Sequence, residues 1–270
     1  MKDVLIRSVT GLLYLLIFIG ALLTGKFTFG VLFIFLSCIA LLEFYSLVKL
    51  MDINPFKITG VITGVVIFQL FCLFCFHWSL AMLSFTIPFI LIVYISAMYR
   101  IEEAPLSGIV YTVFGLVYIV LPVSLFNYFA FYNGAYDYHI ILGFFILLWI
   151  NDTAAYVFGV SFGKHRLFEK ISPKKSWEGF IGGTLATLGT GLFISGLLNV
   201  LNTLDWLVIG LIISTVGVYG DLFESFIKRS VNSKDSGKIL PGHGGILDRL
   251  DSALLSAPLV YMYLVFSKII

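Results

Sequence analysis

Eleven titratable side chains crowd into one stretch of this chain, DLFESFIKRSVNSKDSGKILPGHGGILDRLD, which runs from Asp221 to Asp251. They are Asp221, Glu224, Lys228, Arg229, Lys234, Asp235, Lys238, His243, Asp248, Arg249 and Asp251, in a chain that is only 12% charged. On a helix, Asp221, Glu224, Ser225 and Lys228 recur at i, i+3, i+4 and i+7 and share one face. A stripe of acids ending in Lys228-Arg229 suits a metal held by the acids and phosphates held by the bases. The competing structural reading is a Glu224–Lys228 ion pair on a solvated helix end, worth a few tenths of a kcal/mol. Asp221 lies deeper in an apolar run and is harder to explain that way.

Downstream, Pro241-Gly242-His243-Gly244-Gly245 forces a non-helical backbone whose exposed N–H groups could cradle a phosphate. Asp248-Arg249-Leu250-Asp251 follows, with two carboxylates at i and i+3 that could hold a divalent cation while Arg249 meets a phosphate. Acids in a first helical turn also complement the helix dipole, and Asp251 beside Ser252 competes for that role. Upstream, Ser172-Pro173 reads as the N-cap and first residue of a helix, placing Lys174 and Lys175 in its first turn. Cations are disfavoured there unless they meet an anion, and anchoring to anionic lipid is an equal alternative. Gly179, Gly182 and Gly183 thin one face of that helix for close packing.

Asn151-Asp152 puts an amide and an acid near the middle or cytoplasmic end of another apolar segment, an arrangement that marks a functional site by default. Glu43, near Lys49 in the second apolar segment, reads instead as a helix-end ion pair or a snorkelling carboxylate. Cys38, Cys72 and Cys75 fall in apolar segments and read as small buried hydrophobes.

The elements that must position these groups are membrane helices. The chain has 270 residues and is 60% hydrophobic, well beyond the composition of soluble domains. Apolar runs near the roughly 20 residues needed to span a bilayer fall at 4–24, 27–48, 58–76, 80–99, 108–132, 139–160, 180–200, 204–222 and 252–270. The expected fold is therefore an all-α polytopic integral membrane protein with about nine transmembrane helices. With the N-terminus cytoplasmic, only Lys26 and Lys268 of the 17 Lys and Arg residues lie outside, which fixes the orientation and sends the C-terminus outward. Residues 1–135 read as a lipid-facing scaffold. Residues 136–270 read as a catalytic region with cytoplasmic loops 161–179 and 223–251. The near absence of ionisable residues in the first five segments argues against a transporter, whose site would draw on several helices at the midplane.

The motif Ser225-x-x-Lys228-Arg229, Lys234-Asp235-x-Gly237, Pro241-x-His243-Gly244-Gly245 and Asp248-Arg249-Leu250-Asp251 resembles that of the phosphatidate cytidylyltransferase family. The block from Ser172 to Gly179 and the Asn151-Asp152 pair resemble further parts of it, so residues 150–270 carry the likeness. The resemblance implies transfer of a cytidylyl group from CTP to phosphatidic acid, with Mg²⁺ as cofactor and a second cation left open. It points to Asp221 and Asp248 as metal ligands. Lys228, Arg229 and Arg249 would contact phosphates, and Gly242–Gly245 would cradle the triphosphate beside a hydrogen bond from His243. Lys174 and Lys175 would hold the lipid phosphate or the nucleotide. Asn151, Asp152, Glu178, Ser225 and Lys234 complete the substrate-binding set, with Asp235 and Asp251 orienting basic residues. Expected partners are CTP, phosphatidic acid and the bilayer of the cell membrane, with no nucleic acid; a homodimer is allowed. The nearest rival is a CTP-dependent polyprenol or phytol kinase, which would release CDP in place of pyrophosphate. A CDP-alcohol phosphotransferase would carry a D-G-x-x-A-R motif that is missing here.

Overall fold

The computed structural model describes residues 2–75, 84–99, 105–237, 239, 242 and 244–270. Helices dominate it: α1 (Lys2–Thr24), α2 (Lys26–Lys49), α3 (Lys57–Phe74), α4 (Ile87–Met98), α5 (Pro105–Gly115), α6 (Leu121–Ala130), α7 (His139–Phe162), α8 (Trp177–Leu198), α9 (Thr203–Ser230) and α10 (Leu247–Phe266). Among the described residues, six helical segments are long and apolar enough to cross a bilayer: α2, the continuous α5–α6 stretch, α7, α8, α9 and α10. Apolar side chains such as Ile58, Met98, Tyr156, Val160, Phe193 and Phe266 lie exposed along these and neighbouring helices. Water would not tolerate so much apolar surface, whereas lipid does. The chain is an all-α polytopic membrane protein. Most of its helices follow the expected apolar runs within a few residues; α4 starts at Ile87 within the expected run 80–99, whose first four residues lie outside the described residues, and α9 runs on past its apolar part to Ser230.

The chain packs as two compact units, Met1–Tyr136 with Ser230–Leu250, and Asp137–Arg229 with Asp251–Ile270. In the first, aromatic side chains dominate the core. Phe33 packs on Phe18, Phe29 and Phe126, and Phe131 packs on Phe29 and Tyr136. The Tyr45 hydroxyl donates to Thr112 O at 3.0 Å, and Phe56 N donates to Thr112 Oγ1 at 2.8 Å, tying α2 and the start of α3 to α5. A π-helical turn, Leu116–Val120, joins α5 to α6 and is closed by Leu121 N–H on Leu116 O. Pro122 follows one residue beyond it, in the first turn of α6. Proline cannot donate to an α ladder and its ring crowds the carbonyl one turn earlier, so the ladder widens at this point.

In the second unit, α7 and α8 lie face to face because glycines remove the side chains that would separate them. A Cβ on Gly179 would stand 2.6 Å from Ala155 O, and one on Gly183 would stand 3.0 Å from Ala155 Cβ. The Trp206 ring, fully buried on α9, occupies the space left by Gly143 on α7, and the Trp206 backbone carbonyl lies against Gly191 on α8.

A two-stranded antiparallel hairpin, β1 (Arg166–Phe168) and β2 (Ser172–Ser176), precedes α8. The expected helix start at Ser172-Pro173 is therefore corrected. Ser176 is the N-cap, with extended backbone and its hydroxyl accepting Gly179 N–H at 3.2 Å, while Glu178 supplies the acid of the first turn. Pro173 is tolerated in a two-stranded ribbon because both strands are edges. Lys174 and Lys175 thus stand on a strand, not at a positive helix end.

Replacing Gly143 with Ala forces a methyl into the Trp206 ring. The expected loss is about 1–3 kcal/mol of stability, read as a lower thermal midpoint of the detergent-solubilised protein.

Candidate active site

The acid stripe of α9 forms as its spacing requires, because α9 stays helical through Ser230. Asp221, Glu224 and Asp251 offer carboxylate oxygens that all lie within 4.8 Å of one another. Asp251 reaches this group because α9 approaches the α10 backbone at Gly220 and Gly217. A Cβ on Gly220 would overlap Asp251 O and stand 3.0 Å from Ser252 Cα, and one on Gly217 would stand 3.3 Å from Ser256 Oγ. Asp152 of α7 also bears electrostatically on Asp251.

Cations answer this charge. Lys175 Nζ sits 2.7 Å from Asp221 Oδ2 and donates to Val218 O at 3.2 Å. The Lys228 ammonium pairs with Glu224, whose side chain is fully buried. The Ser225 hydroxyl donates to Asp221 Oδ1 at 3.3 Å. The Glu224–Lys228 pair expected of a simple helix end is therefore present, but inside the acid cluster. Three carboxylates converging beside two ammonium groups suit a hard divalent cation, which takes oxygen ligands, next to a polyanion.

Further expected residues fall as follows. Asn151 is buried, and its Oδ1 accepts the Thr187 hydroxyl at 3.4 Å beside Gly183. Asp152, Lys174, Arg229, Lys234, Asp235 and Arg249 are exposed. Glu178 grips His165, accepting from its backbone N–H at 3.2 Å and lying 2.6 Å from its Nδ1. His243, with Lys238 and Pro241, lies outside the described residues.

The glycine-rich loop belongs to the first unit, and two acids hold it. Asp248 Oδ2 accepts Gly245 N–H at 2.7 Å, the Ser236 hydroxyl at 2.9 Å and Ser236 N–H at 3.1 Å. Gly242 and Gly244 take φ of 77° and 84°, a region closed to most side chains. The second acid is Glu43. Its Oε2 accepts Leu247 N–H at 2.9 Å and lies 3.3 Å from Ser236 Oγ. The expected helix-end pairing or snorkelling of Glu43 is corrected: the carboxylate is buried, and a backbone donor from this loop, Leu247 N–H, takes the place of water. A single acid in an otherwise uncharged stretch of α2 was the available signal, but its partners lie about two hundred positions away. His165 was likewise missed, its only signal being an acid in the first turn of the following helix.

Membrane helices bearing an acid cluster, paired lysines and a glycine-rich loop define an enzyme class suited to phosphate chemistry at a bilayer. Residues 5–267 match the cytidylyltransferase family, and the chain belongs to that family. It is 33% identical to the phosphatidate cytidylyltransferase of Staphylococcus aureus (strain COL), over 97% of this chain and 99% of that protein. The phosphatidate cytidylyltransferase of Staphylococcus haemolyticus (strain JCSC1435) is also 33% identical, over 96% of this chain and 98% of that protein. That of Staphylococcus saprophyticus is 46% identical over 47% of this chain and 49% of its own length.

Gly220→Ala should part α9 from α10 where Asp221 meets Asp251. A displacement near 1 Å at such a site lowers turnover by about 10²-fold, so the variant should lose activity with its helices intact by circular dichroism. Wild-type turnover in Gly220→Ala would show that this close approach is dispensable.

Proposed function

We propose that this chain transfers the cytidylyl group of CTP to phosphatidic acid, giving CDP-diacylglycerol and pyrophosphate. The S. aureus and S. haemolyticus relatives carry that name along nearly their whole length. The observation on this chain that carries the reading is the convergence of Asp221, Glu224 and Asp251 beside Lys175 and Lys228.

The lipid's phosphate monoester, with a second pKa of about 6, is largely a dianion at neutral pH. One of its oxygens attacks the α-phosphorus of CTP, and the bond from that phosphorus to the bridging oxygen of the β-phosphate breaks. Pyrophosphate leaves with the bonding pair. The nucleophile needs no strong general base, so catalysis rests on positioning and on neutralising a crowded polyphosphate. Mg²⁺ fits the carboxylate cluster, where Asp221, Glu224 and Asp251 would hold it; when bound it supplies that neutralisation. The family resemblance adds Asp248 as a metal ligand and leaves room for a second cation. Lys228, Arg229 and Arg249 contact phosphates, Lys174 and Lys175 serve the lipid phosphate or the nucleotide, and the loop to Gly245 receives the triphosphate beside His243. Asn151, Asp152, Glu178, Ser225, Lys234 and Asp235 shape the substrate site from residues 136–270.

Nine crossings with a cytoplasmic N-terminus put this chemistry on the cytoplasmic face of the cell membrane, where CTP is found; the clustering of Lys and Arg supports that orientation. Gly179 and Gly183 are taken up against α7, so a homodimer would use another face.

Purified protein given phosphatidic acid, CTP and Mg²⁺ should release pyrophosphate and form CDP-diacylglycerol. Release of CDP with a phosphorylated lipid alcohol would make it a kinase instead. Asp221→Asn and Asp248→Asn should each cut turnover by at least about 10²-fold with folding retained. Near-normal activity in either would sink that residue's metal assignment.

A further inference from the structure

Glu43 is an acid where an apolar helix would ordinarily carry a leucine. It is 6% exposed, and its Oε1 has no hydrogen-bond partner among the described residues. An unmatched buried carboxylate oxygen costs stability, so packing alone does not account for the residue. What it touches does. Its other oxygen accepts Leu247 N–H at 2.9 Å and lies 3.3 Å from Ser236 Oγ, on both flanks of the glycine-rich loop. The chain makes room for it at two glycines: a Cβ on Gly237 would stand 2.6 Å from Glu43 Cδ, and one on Gly245 would stand 2.7 Å from it. Ser236 Oγ also lies 2.9 Å from Asp248 Oδ2. A hydroxyl has one proton to donate, so the shorter contact takes it and Leu247 N–H is the donor that Glu43 holds most directly.

We infer that Glu43 is a positioning residue: from helix α2 it holds Leu247 N–H and so fixes the end of the glycine-rich loop at Gly245–Leu247. The inference rests on the proposed role of that loop in receiving the CTP triphosphate. Glu43 itself touches no reacting atom. Its contribution is that the loop arrives at the nucleotide already shaped, which should appear in the affinity for CTP and not in that for the lipid.

The test uses the protein in detergent micelles with wild type, Glu43→Ala, Glu43→Gln and Glu43→Asp. Hydrogen–deuterium exchange at Gly245–Leu247 reads the clamp without reference to activity. Glu43→Ala should speed exchange at Leu247 at least tenfold, and Glu43→Gln, whose carbonyl can still accept, should stay close to wild type. Steady-state kinetics should then give Glu43→Ala a KM for CTP raised tenfold or more, with the KM for phosphatidic acid unchanged and rescue by Glu43→Gln. Should Glu43→Ala fail to fold, Glu43→Asp, whose carboxylate is one methylene short of Leu247 N–H, must itself accelerate exchange there and raise the KM for CTP by at least threefold. Wild-type exchange at Leu247 in a folded Glu43→Ala, or equal damage from Glu43→Ala and Glu43→Gln, would overturn the clamp. If exchange changes as expected but the wild-type protein does not use CTP, the clamp stands and the proposed reaction falls.

Discussion

Three carboxylates with oxygens inside 4.8 Å of one another repel strongly beside an apolar environment. At an effective dielectric near 20, each pair of full charges costs about 3 kcal/mol. The fold sustains this because Lys175 and Lys228 are delivered to the same place, one from the β-hairpin and one from the next turn of α9. That single requirement organises the second unit. The hairpin presents Lys175; Gly217 and Gly220 admit the α10 backbone; and α9 continues past its apolar length with Glu224 and Lys228 on its last turns. Remove the ammonium groups and the acids would have to spread, bind cations or take up protons.

The same reasoning separates two kinds of acid in this chain. Asp221, Glu224 and Asp251 face lysine side chains and one another, the arrangement on which the proposed cation site rests. Glu43 instead meets an N–H donor of a glycine-rich segment, and Asp248, proposed above as a further metal ligand, also accepts N–H and O–H donors from that segment. Hydrogen bonds to an anion are among the stronger ones available, and here they hold a loop whose positive-φ glycines otherwise leave it many conformations. An acid on a membrane helix thus does for the loop what a second strand or a disulfide does elsewhere.

Much of this was legible in the residues. The apolar runs located the helices because a bilayer imposes length as well as composition, and the spacing of Asp221, Glu224, Ser225 and Lys228 placed them on one face before any coordinates. The misplaced helix start at Ser172-Pro173 had a local cause. Ser-Pro and Ser176-Trp177-Glu178 both read as starts, and the pairing of β2 with β1 chose the second. Glu43 was misread for a different reason, and the contact of Lys175 with Asp221 was unforeseen for the same one. Their partners, Leu247 and Asp221, are distant along the chain, and no local pattern announces a tertiary contact. Asp251 stood in between: its cap-like position was visible, but only the close approach at Gly220 joins it to Asp221 and Glu224.

The central claim is that the α9–α10 acids form one cation site. Mn²⁺, a paramagnetic substitute for Mg²⁺, tests it directly by electron paramagnetic resonance on the purified protein. Wild type should bind Mn²⁺ with carboxylate coordination, and Asp221→Asn, Glu224→Gln and Asp251→Asn should each weaken that binding at least tenfold. Wild-type Mn²⁺ affinity in all three variants would contradict it.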